Sequence, residues 1–355
     1  MSPIETGNGS NRDDAAALWP ALLSLGAAGG EAIASARPET LRTAAVVLSP
    51  ALVDATCRAV GGIPEALNSL QVQQSRLFNR FVRTDGLRWA RLAEAEGIPV
   101  LAIKGLATAH ALYPDPDARP MSDSDLLVRQ ADLAPLLRVF AAAGLAFRPV
   151  AAASRWGFVS DASFQALTST DEAANIDLHV HPDAWPLHRV LTTDAVFAEG
   201  RLRRLGDGSL RLPCPLHMLL IGISHAARDR FQVETAKSFV DAALLLRAHG
   251  TELDWARFEI MCRGARMLGP ARAFFALLGD LGGDVSAVPA ALRRQPRTAE
   301  FRRALLALTR FDTTSLGSMA RLRREALLSS APSVFLYRMA LRAKGLLQPN
   351  PGLPS

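Results

Sequence analysis

Two aspartates at the start of an apolar segment are the residues of this chain best suited to hold a divalent cation. Asp123 and Asp125 stand two positions apart in RPMSDSDLLV, residues 119–128. Side chains alternate between the faces of a strand, so both carboxylates point the same way. Such close like charges resist burial unless a cation neutralises them, and Mg²⁺ favours carboxylates, water and phosphates. The pair indicates a phosphoryl or nucleotidyl transfer site; a solvated pair of surface aspartates is the alternative interpretation.

A third aspartate lies in another predicted strand. Asp177 is flanked by apolar residues in ANIDLHVH, residues 174–181. If this strand lies beside residues 123–128, three carboxylates face one site. The first two would hold metal ions, and Asp177 would ligate one of them and accept a proton from an attacking hydroxyl. Asp177, His179 and His181 also share one strand face, which leaves a two-histidine, one-carboxylate site for zinc or iron as an alternative.

A rare lysine marks a second feature of the predicted site. The chain has 40 basic residues, of which only Lys104, Lys237 and Lys344 are lysines. Lys104 and Gly105 fall where a predicted strand ends and a helix begins. Backbone N–H groups and the helix dipole accept an anion at such a position, and Lys104 adds a positive charge. We therefore expect these two residues to contact phosphate.

Composition limits the class of protein. The 355 residues are 49% hydrophobic and 21% charged, which is typical of a globular chain. The polar start has no secretory signal pattern, and no apolar stretch is long enough to span a membrane, so we expect a cytoplasmic protein. The three cysteines are widely separated and have no C-x-x-C spacing, which favours reduced core thiols.

The net charge of +6 favours an anionic partner such as a nucleotide. The basic residues are scattered in short runs with few aromatic residues between them. Binding to nucleic acid needs clustered charge and stacking residues, so we do not expect nucleic acid to be the partner.

Hydrophobic periodicity predicts the elements that must position these residues. It changes from helical to strand-like near residue 98 and returns to helical after residue 215, with a hairpin expected at 201–212. We expect an α+β fold with a small mixed sheet. The expected segments are a disordered N-terminus (1–13), an N-terminal helical region (14–95), an α/β core (96–212), a C-terminal helical domain (213–345) and a disordered tail (346–355).

The ordered set of motifs over about residues 96–260 resembles the nucleotidyltransferase fold of the DNA polymerase β superfamily. Within it, the chain resembles the bacterial family of uncharacterised nucleotidyltransferases. The superfamily has a glycine-containing strand–helix turn, an acidic-x-acidic strand and a third acidic strand residue. The narrower family adds further motifs, and the matching residues here are Lys104-Gly105, Tyr113-Pro114, Arg119-Pro120-Met121, Asp123-Ser124-Asp125, Asp177-Leu178-His179, His225-Ala226, Asp241 and Asp254-Trp255.

The resemblance implies transfer of NMP from an NTP to a hydroxyl of a small-molecule, peptide or saccharide acceptor, with Mg²⁺ or Mn²⁺. It assigns the metal and catalysis to the three aspartates named above. The expected nucleotide-binding residues are Lys104, Gly105, Arg119, His225 and Asp241. The turn departs from the superfamily pattern, since Lys-Gly-Leu replaces the usual Gly-Ser or Gly-Gly, so the triphosphate is expected to be gripped differently.

Several alternatives stay open at this point. Arg119 could contact phosphate or anchor its loop through a salt bridge. His225 and Asp241 could close over the nucleotide or hydrogen-bond to each other between two helices, and His179 could support Asp177. The protein could be a non-catalytic nucleotide- or partner-binding regulator with the same fold, or a kinase-like enzyme that transfers the γ-phosphoryl group.

Overall fold

The computed structural model describes residues 15–62, 66–147, 164, 166–169, 175–206 and 208–347. Within them the expected α+β fold class is confirmed: a small mixed sheet has helices before and after it in the chain. The termini expected to be disordered lie outside the described residues, except that the last helix continues to Leu347. No helix in the described part of the chain has the length and apolar character that crossing a membrane requires.

Helices form the N-terminal part of the chain. They are α1 (Trp19–Ser24), α2 (Gly30–Ala34), α3 (Pro38–Leu48), α4 (Pro50–Ala59) and α5 (Ser69–Ala95). The long helix α5 begins where the side chain of Asn68 accepts hydrogen bonds from two free N–H groups of the first turn. Gly86 lets α5 pack closely on the sheet, because a Cβ there would lie 2.3 Å from Ser124 Oγ.

The sheet has the order β1-β2-β5-β4-β3. Its strands are β1 (Val100–Ala102), β2 (Ser124–Val128), β3 (Leu145–Phe147), β4 (Leu167–Ser169) and β5 (Ile176–His179). β2 and β5 pair in parallel, and the other neighbours pair antiparallel. All five residues of β2 are buried, in keeping with a central strand that is covered on both faces.

The elements between the strands include helices and the predicted hairpin. They are α6 (Lys104–Leu112), α7 (Leu133–Ala142), α8 (Thr193–Ala198), and 3₁₀ turns at Pro116–Ala118, Gln130–Asp132 and Leu187–Arg189. The hairpin expected at 201–212 is confirmed as the antiparallel pair β6 (Arg201–Leu205) and β7 (Gly208–Leu212).

The C-terminal part is helical. It comprises α9 (Pro215–Arg228), a 3₁₀ turn (Val233–Thr235), α10 (Ala236–His249), α11 (Trp255–Gly264), α12 (Leu268–Asp280), α13 (Ala299–Thr309), α14 (Ser318–Arg324), a π-helical turn (Glu325–Ser329) and α15 (Pro332–Leu347).

One continuous apolar core joins the helices at both ends of the chain to the sheet. Trp19 of α1 shows the connection, because its indole ring stacks on Phe311 with 5.1 Å between ring centroids. Its Nε1–H also donates to the carbonyl of Leu308, in α13, at 3.1 Å. The first helix therefore packs against the C-terminal end of α13.

Candidate active site

The structure brings the predicted carboxylates of two strands together. β2 and β5 are parallel neighbours, and their register places Asp125 opposite Asp177. Paired residues of neighbouring strands share a face, and His179 lies on it as well because it is two residues further on. Donor atoms of Asp125, Asp177 and His179 all lie within 4.8 Å of one another. Asp123 directly precedes β2.

Asp123 and Asp125 border a cleft of about 210 Å³. Asp123, Asp125 and Lys104 line it from the sheet side, whereas α9 and α10 supply much of the opposite wall. That wall is partly apolar, with Met218 and Leu245 among its residues. Asp177 does not contribute to the lining and is half-buried beside Asp125. The C-terminal helices and the sheet thus share one cleft.

Asp125 is neutralised by the chain itself. Lys104 Nζ donates to Asp125 Oδ1 at 2.6 Å, and His179 Nε2 lies 2.8 Å from the same oxygen. Burial alone would raise the pKa of Asp125, but Lys104 and His179 lower it far below its usual range. An ionised carboxylate can only accept, so the Nε2 of His179 must carry the proton. The close pair of carboxylates was expected to need a cation, and for Asp125 the ammonium group of Lys104 supplies that positive charge.

Lys104 reaches this position from a strained backbone. Its φ is +48°, in the left-handed region that residues other than glycine rarely adopt. Such conformations cost on the order of 1–3 kcal/mol and concentrate at functional sites. The strand–helix turn thus aims its lysine at the carboxylate of β2.

The pKa of Asp123 is shifted in the opposite direction from that of Asp125. Burial and the negative charge of Asp125 raise the pKa of Asp123, and the positive charges of Lys104 and Lys237 offset this only in part. The hydroxyl of Ser122 donates to its Oδ1 at 3.1 Å. Asp123 therefore carries the unbalanced negative charge of the site, which a bound cation would neutralise.

Arg119 and Asp241 form an ion pair between the core and the C-terminal helices. Arg119 Nη2 donates to Asp241 Oδ2 at 2.7 Å, and the Tyr113 hydroxyl donates to Oδ1 at 2.8 Å. Both charged residues line the cleft, and Arg119 is buried. A Cβ on Gly105 would lie 2.5 Å from Arg119 Nη1, so glycine makes room for this guanidinium. The geometry matches the salt bridge that the sequence left open for Arg119.

His225 of α9 lines the cleft but does not contact Asp241. Arg228 Nη2 donates to its Nδ1 at 2.8 Å, and its Nε2 lies 3.4 Å from Asp229. Burial and then Arg228 lower the pKa of His225 to about 4, which keeps the ring neutral at pH 7. The alternative in which His225 hydrogen-bonds to Asp241 is therefore not found, since Asp241 pairs with Arg119; the role of the two residues in nucleotide binding stays a prediction.

Two residues of this region were not assigned by sequence reasoning. Lys237 of α10 lines the cleft, and burial together with the charge of Arg119 lowers its pKa. The rarity of lysine was the only signal for it. Asp183 is fully buried and accepts from Arg228 Nη1 at 2.6 Å, and no sequence motif singled it out.

The alternative two-histidine site is not assembled as expected. His179 contacts Asp125 and Lys104, whereas His181 stacks on His188 with 4.5 Å between ring centroids. The ligand cluster that contains Asp177 within the described residues has Asp125 in place of His181.

Comparison with known families agrees with this arrangement. A family model described as uncharacterised nucleotidyltransferase matches residues 48–281, more than half of the chain. The match includes the whole sheet and the helices of the cleft wall, and it begins well before the segment that the motifs covered. The chain belongs to this nucleotidyltransferase family. Searches of the curated proteins and of the solved structures found no significant match.

Proposed function

We propose that the protein is a Mg²⁺-dependent nucleotidyltransferase that moves NMP from an NTP to an acceptor hydroxyl and releases pyrophosphate. Mn²⁺ is the expected substitute ion. The observation that carries the proposal is the cluster of Asp125, Asp177 and His179 on two adjacent strands, beside a cleft that is lined by Asp123, Asp125 and two lysines. Family membership supports the reaction class.

The donor set suits a hard divalent cation. Asp123 and Asp125 offer carboxylate oxygens to the cleft, which is the ligand type that Mg²⁺ prefers. Lys104 and His179 both contact Oδ1 of Asp125, so its Oδ2 remains available to a cation. When bound, the ion would neutralise phosphate charge and polarise the reacting phosphoryl group.

The chain's own cations favour a triphosphate. Lys104 lies on the sheet side of the cleft and Lys237 on the α10 side, so a bound triphosphate can contact a lysine from either wall. Arg119 is held by Asp241, and we propose that it shapes the cleft and contacts phosphate only through its remaining N–H groups. Gly105 leaves room for the guanidinium of Arg119, because a side chain there would collide with it. His225 is a neutral hydrogen-bonding group on the opposite wall.

In the proposed transfer, the acceptor oxygen attacks the α-phosphorus while the bond to the bridging oxygen of pyrophosphate breaks. The hydroxyl proton passes to Asp177, which is half-buried beside Asp125 just outside the cleft lining, so the acceptor must approach from that side or reach Asp177 through one water. Such proton acceptance contributes about 10²- to 10⁴-fold to rate. Asp125 stays ionised throughout, because Lys104 stabilises its charge.

A nucleotide-binding protein without catalysis is the second candidate. The observation that favours it is the ion pair of Lys104 and Asp125, since an internal ammonium already satisfies one presumed metal ligand. In that case NTP binding would need no divalent ion.

Thermal melting with and without ligand separates the two candidates and needs no acceptor. At about 100 times Kd a ligand adds about 2.7 kcal/mol of stability, which corresponds to a rise in Tm of roughly 4 °C for a chain of this length. We expect this rise for wild type with Mg²⁺ and an NTP together, a much smaller rise in Asp123→Asn, and a wild-type rise in Asp194→Asn, an exposed aspartate on α8. An equal rise with NTP and a chelator would favour the binding-only candidate, and no rise with any NTP would reject both.

A further inference from the structure

A second group of metal-ligating side chains lies at the start of α9. Donor atoms of Glu199, Cys214 and His217 all lie within 4.8 Å of one another. Cys214 occupies the N-cap position of the helix and His217 is in its first turn, so the two form a Cys-x-x-His pair on one side of the turn. Glu199 directly follows α8. The group thus joins two elements that are not adjacent in sequence.

His217 has no hydrogen-bond partner in this group. Its side chain is completely buried, and neither ring nitrogen makes a hydrogen bond to any of the described residues. The carboxylate of Glu199 approaches it, with 3.7 Å between Nε2 and Oε1. Buried polar groups almost always have a hydrogen-bond partner, so a fully buried imidazole that faces a thiol and a carboxylate without one indicates a missing ligand.

The spacing of the donors is close to that around zinc. Bonds of about 2.3 Å to sulfur and about 2.0–2.2 Å to nitrogen and oxygen place tetrahedral ligand atoms roughly 3.3–3.6 Å apart. The observed separations are 3.7 Å from His217 Nε2 to Glu199 Oε1 and 3.8 Å from Cys214 Sγ to Glu199 Oε2. The thiol and the imidazole thus lie beside the same carboxylate, and the three donor groups would have to draw closer together around a bound ion.

We propose that Glu199, Cys214 and His217 bind one Zn²⁺ ion, separate from the nucleotidyltransferase cleft, that fastens the start of α9 to the end of α8. A thiolate and a carboxylate balance the charge of the ion, and three protein ligands leave a fourth position for water. Met218 and Leu219, which follow the last ligand, line the cleft. The ion therefore stabilises the helical wall against which the substrate binds.

Arg257 is compatible with this site. It donates to both oxygens of Glu199, from Nη1 to Oε2 at 2.8 Å and from Nη2 to Oε1 at 2.5 Å. Each carboxylate oxygen has two lone pairs, and metal-ligating carboxylates are commonly held by a further hydrogen bond. Burial lowers the pKa of His217, which leaves the neutral imidazole that metals bind.

Cobalt titration tests the proposal without any assay of activity. Co²⁺ is added to the full-length, chelator-treated protein, and the near-ultraviolet band of thiolate-to-cobalt charge transfer is followed. We expect one Co²⁺ per chain, displacement by Zn²⁺, and a higher Tm with Zn²⁺. Cys214→Ser should abolish the band, and His217→Gln and Glu199→Gln should weaken binding at least roughly tenfold.

The other buried thiols provide matched controls. Cys57→Ser and Cys262→Ser should keep the band, because both residues lie outside the group. Circular dichroism checks that each variant folds. If the substitutions of the buried Cys214 and His217 prevent folding, Glu199→Gln still tests the site, because the side chain of Glu199 is partly exposed. The proposal is overturned if wild type gives no thiolate band with Co²⁺, or if the band is as strong in Cys214→Ser. Zinc binding without the band would mean that Cys214 is not a ligand and would also reject the proposal.

Discussion

Asparagine substitutions at Asp123 and Asp125 should have opposite effects on stability in the absence of metal. The two residues look equivalent in sequence, but only Asp125 has an internal counter-ion. Asp125→Asn leaves the ammonium of Lys104 without its carboxylate, whereas Asp123→Asn removes a charge that burial and Asp125 disfavour. The first substitution should destabilise the protein, and the second should leave its stability unchanged or raise it.

The magnitude follows from the burial of the pair. The side chains of Lys104 and Asp125 are 16% and 5% exposed, so this is a buried ion pair rather than a surface one. Removing one partner of such a pair costs about 3–5 kcal/mol, and we expect the lower end because asparagine can still hydrogen-bond to His179. The contribution of Asp125 is present above its unfolded-state pKa of about 4 and is lost at lower pH, since its folded-state pKa is lowered.

Urea unfolding at pH 7 in a chelator measures both variants against wild type. For Asp123 the sign is reversed: its folded-state pKa is raised, so the advantage of asparagine should grow as pH rises above about 4. Equal losses of unfolding free energy for the two variants would refute the reasoning. So would a wild-type stability for Asp125→Asn, because the pair with Lys104 would then contribute nothing.

The remaining predictions concern the proposed base Asp177, the ion pair of Arg119 and Asp241, and the buried His110. Asp177→Asn should lower turnover by about two or more orders of magnitude while Mg²⁺–NTP still raises the Tm, measured by rate and melting assays. Asp241→Asn should lower the free energy of unfolding in urea by about 3 kcal/mol, because it leaves the buried Arg119 without its counter-ion. The exposed control Asp194→Asn should lower it by less than about 1 kcal/mol. Burial lowers the pKa of His110 to about 4, so the folded protein holds the ring in its neutral form at pH 7. The free energy of unfolding therefore decreases as pH falls below about 6.5, where the unfolded chain binds a proton that the folded protein does not. His110→Gln should reduce the loss of unfolding free energy between pH 7 and pH 5 by about 2 kcal/mol, and an unchanged loss would contradict that pKa.

The spacing of polar and apolar residues along the sequence predicted which residues of the site lie on strands and which segments form helices. The spacing of Asp123 and Asp125 predicted a common face, and both residues line the cleft. The apolar flanks of Asp177 predicted a strand, which is the parallel neighbour of β2. The change from strand to helical periodicity likewise predicted the hairpin and the helices after residue 215.

Contacts between distant residues could not be predicted in this way. Lys104 meets Asp125 across 21 residues, and Arg119 meets Asp241 across 122. Both contacts depend on how α6 and α10 are oriented against the sheet, which hydrophobic periodicity does not encode. Lys237 faces the cleft for the same reason, and its sequence neighbours carry no motif that distinguishes it from a surface lysine.

The most direct test of the proposed function compares label transfer from NTPs that carry ³²P at the α or the γ position. Wild type and Asp125→Asn are incubated with Mg²⁺, each NTP and pools of small-molecule, peptide and saccharide acceptors, and the labelled products are separated. The account predicts an acceptor product labelled only from the α position, equimolar release of pyrophosphate, and no product with Asp125→Asn. Product labelled from the γ position, or α-labelled product that persists in Asp125→Asn, would contradict it.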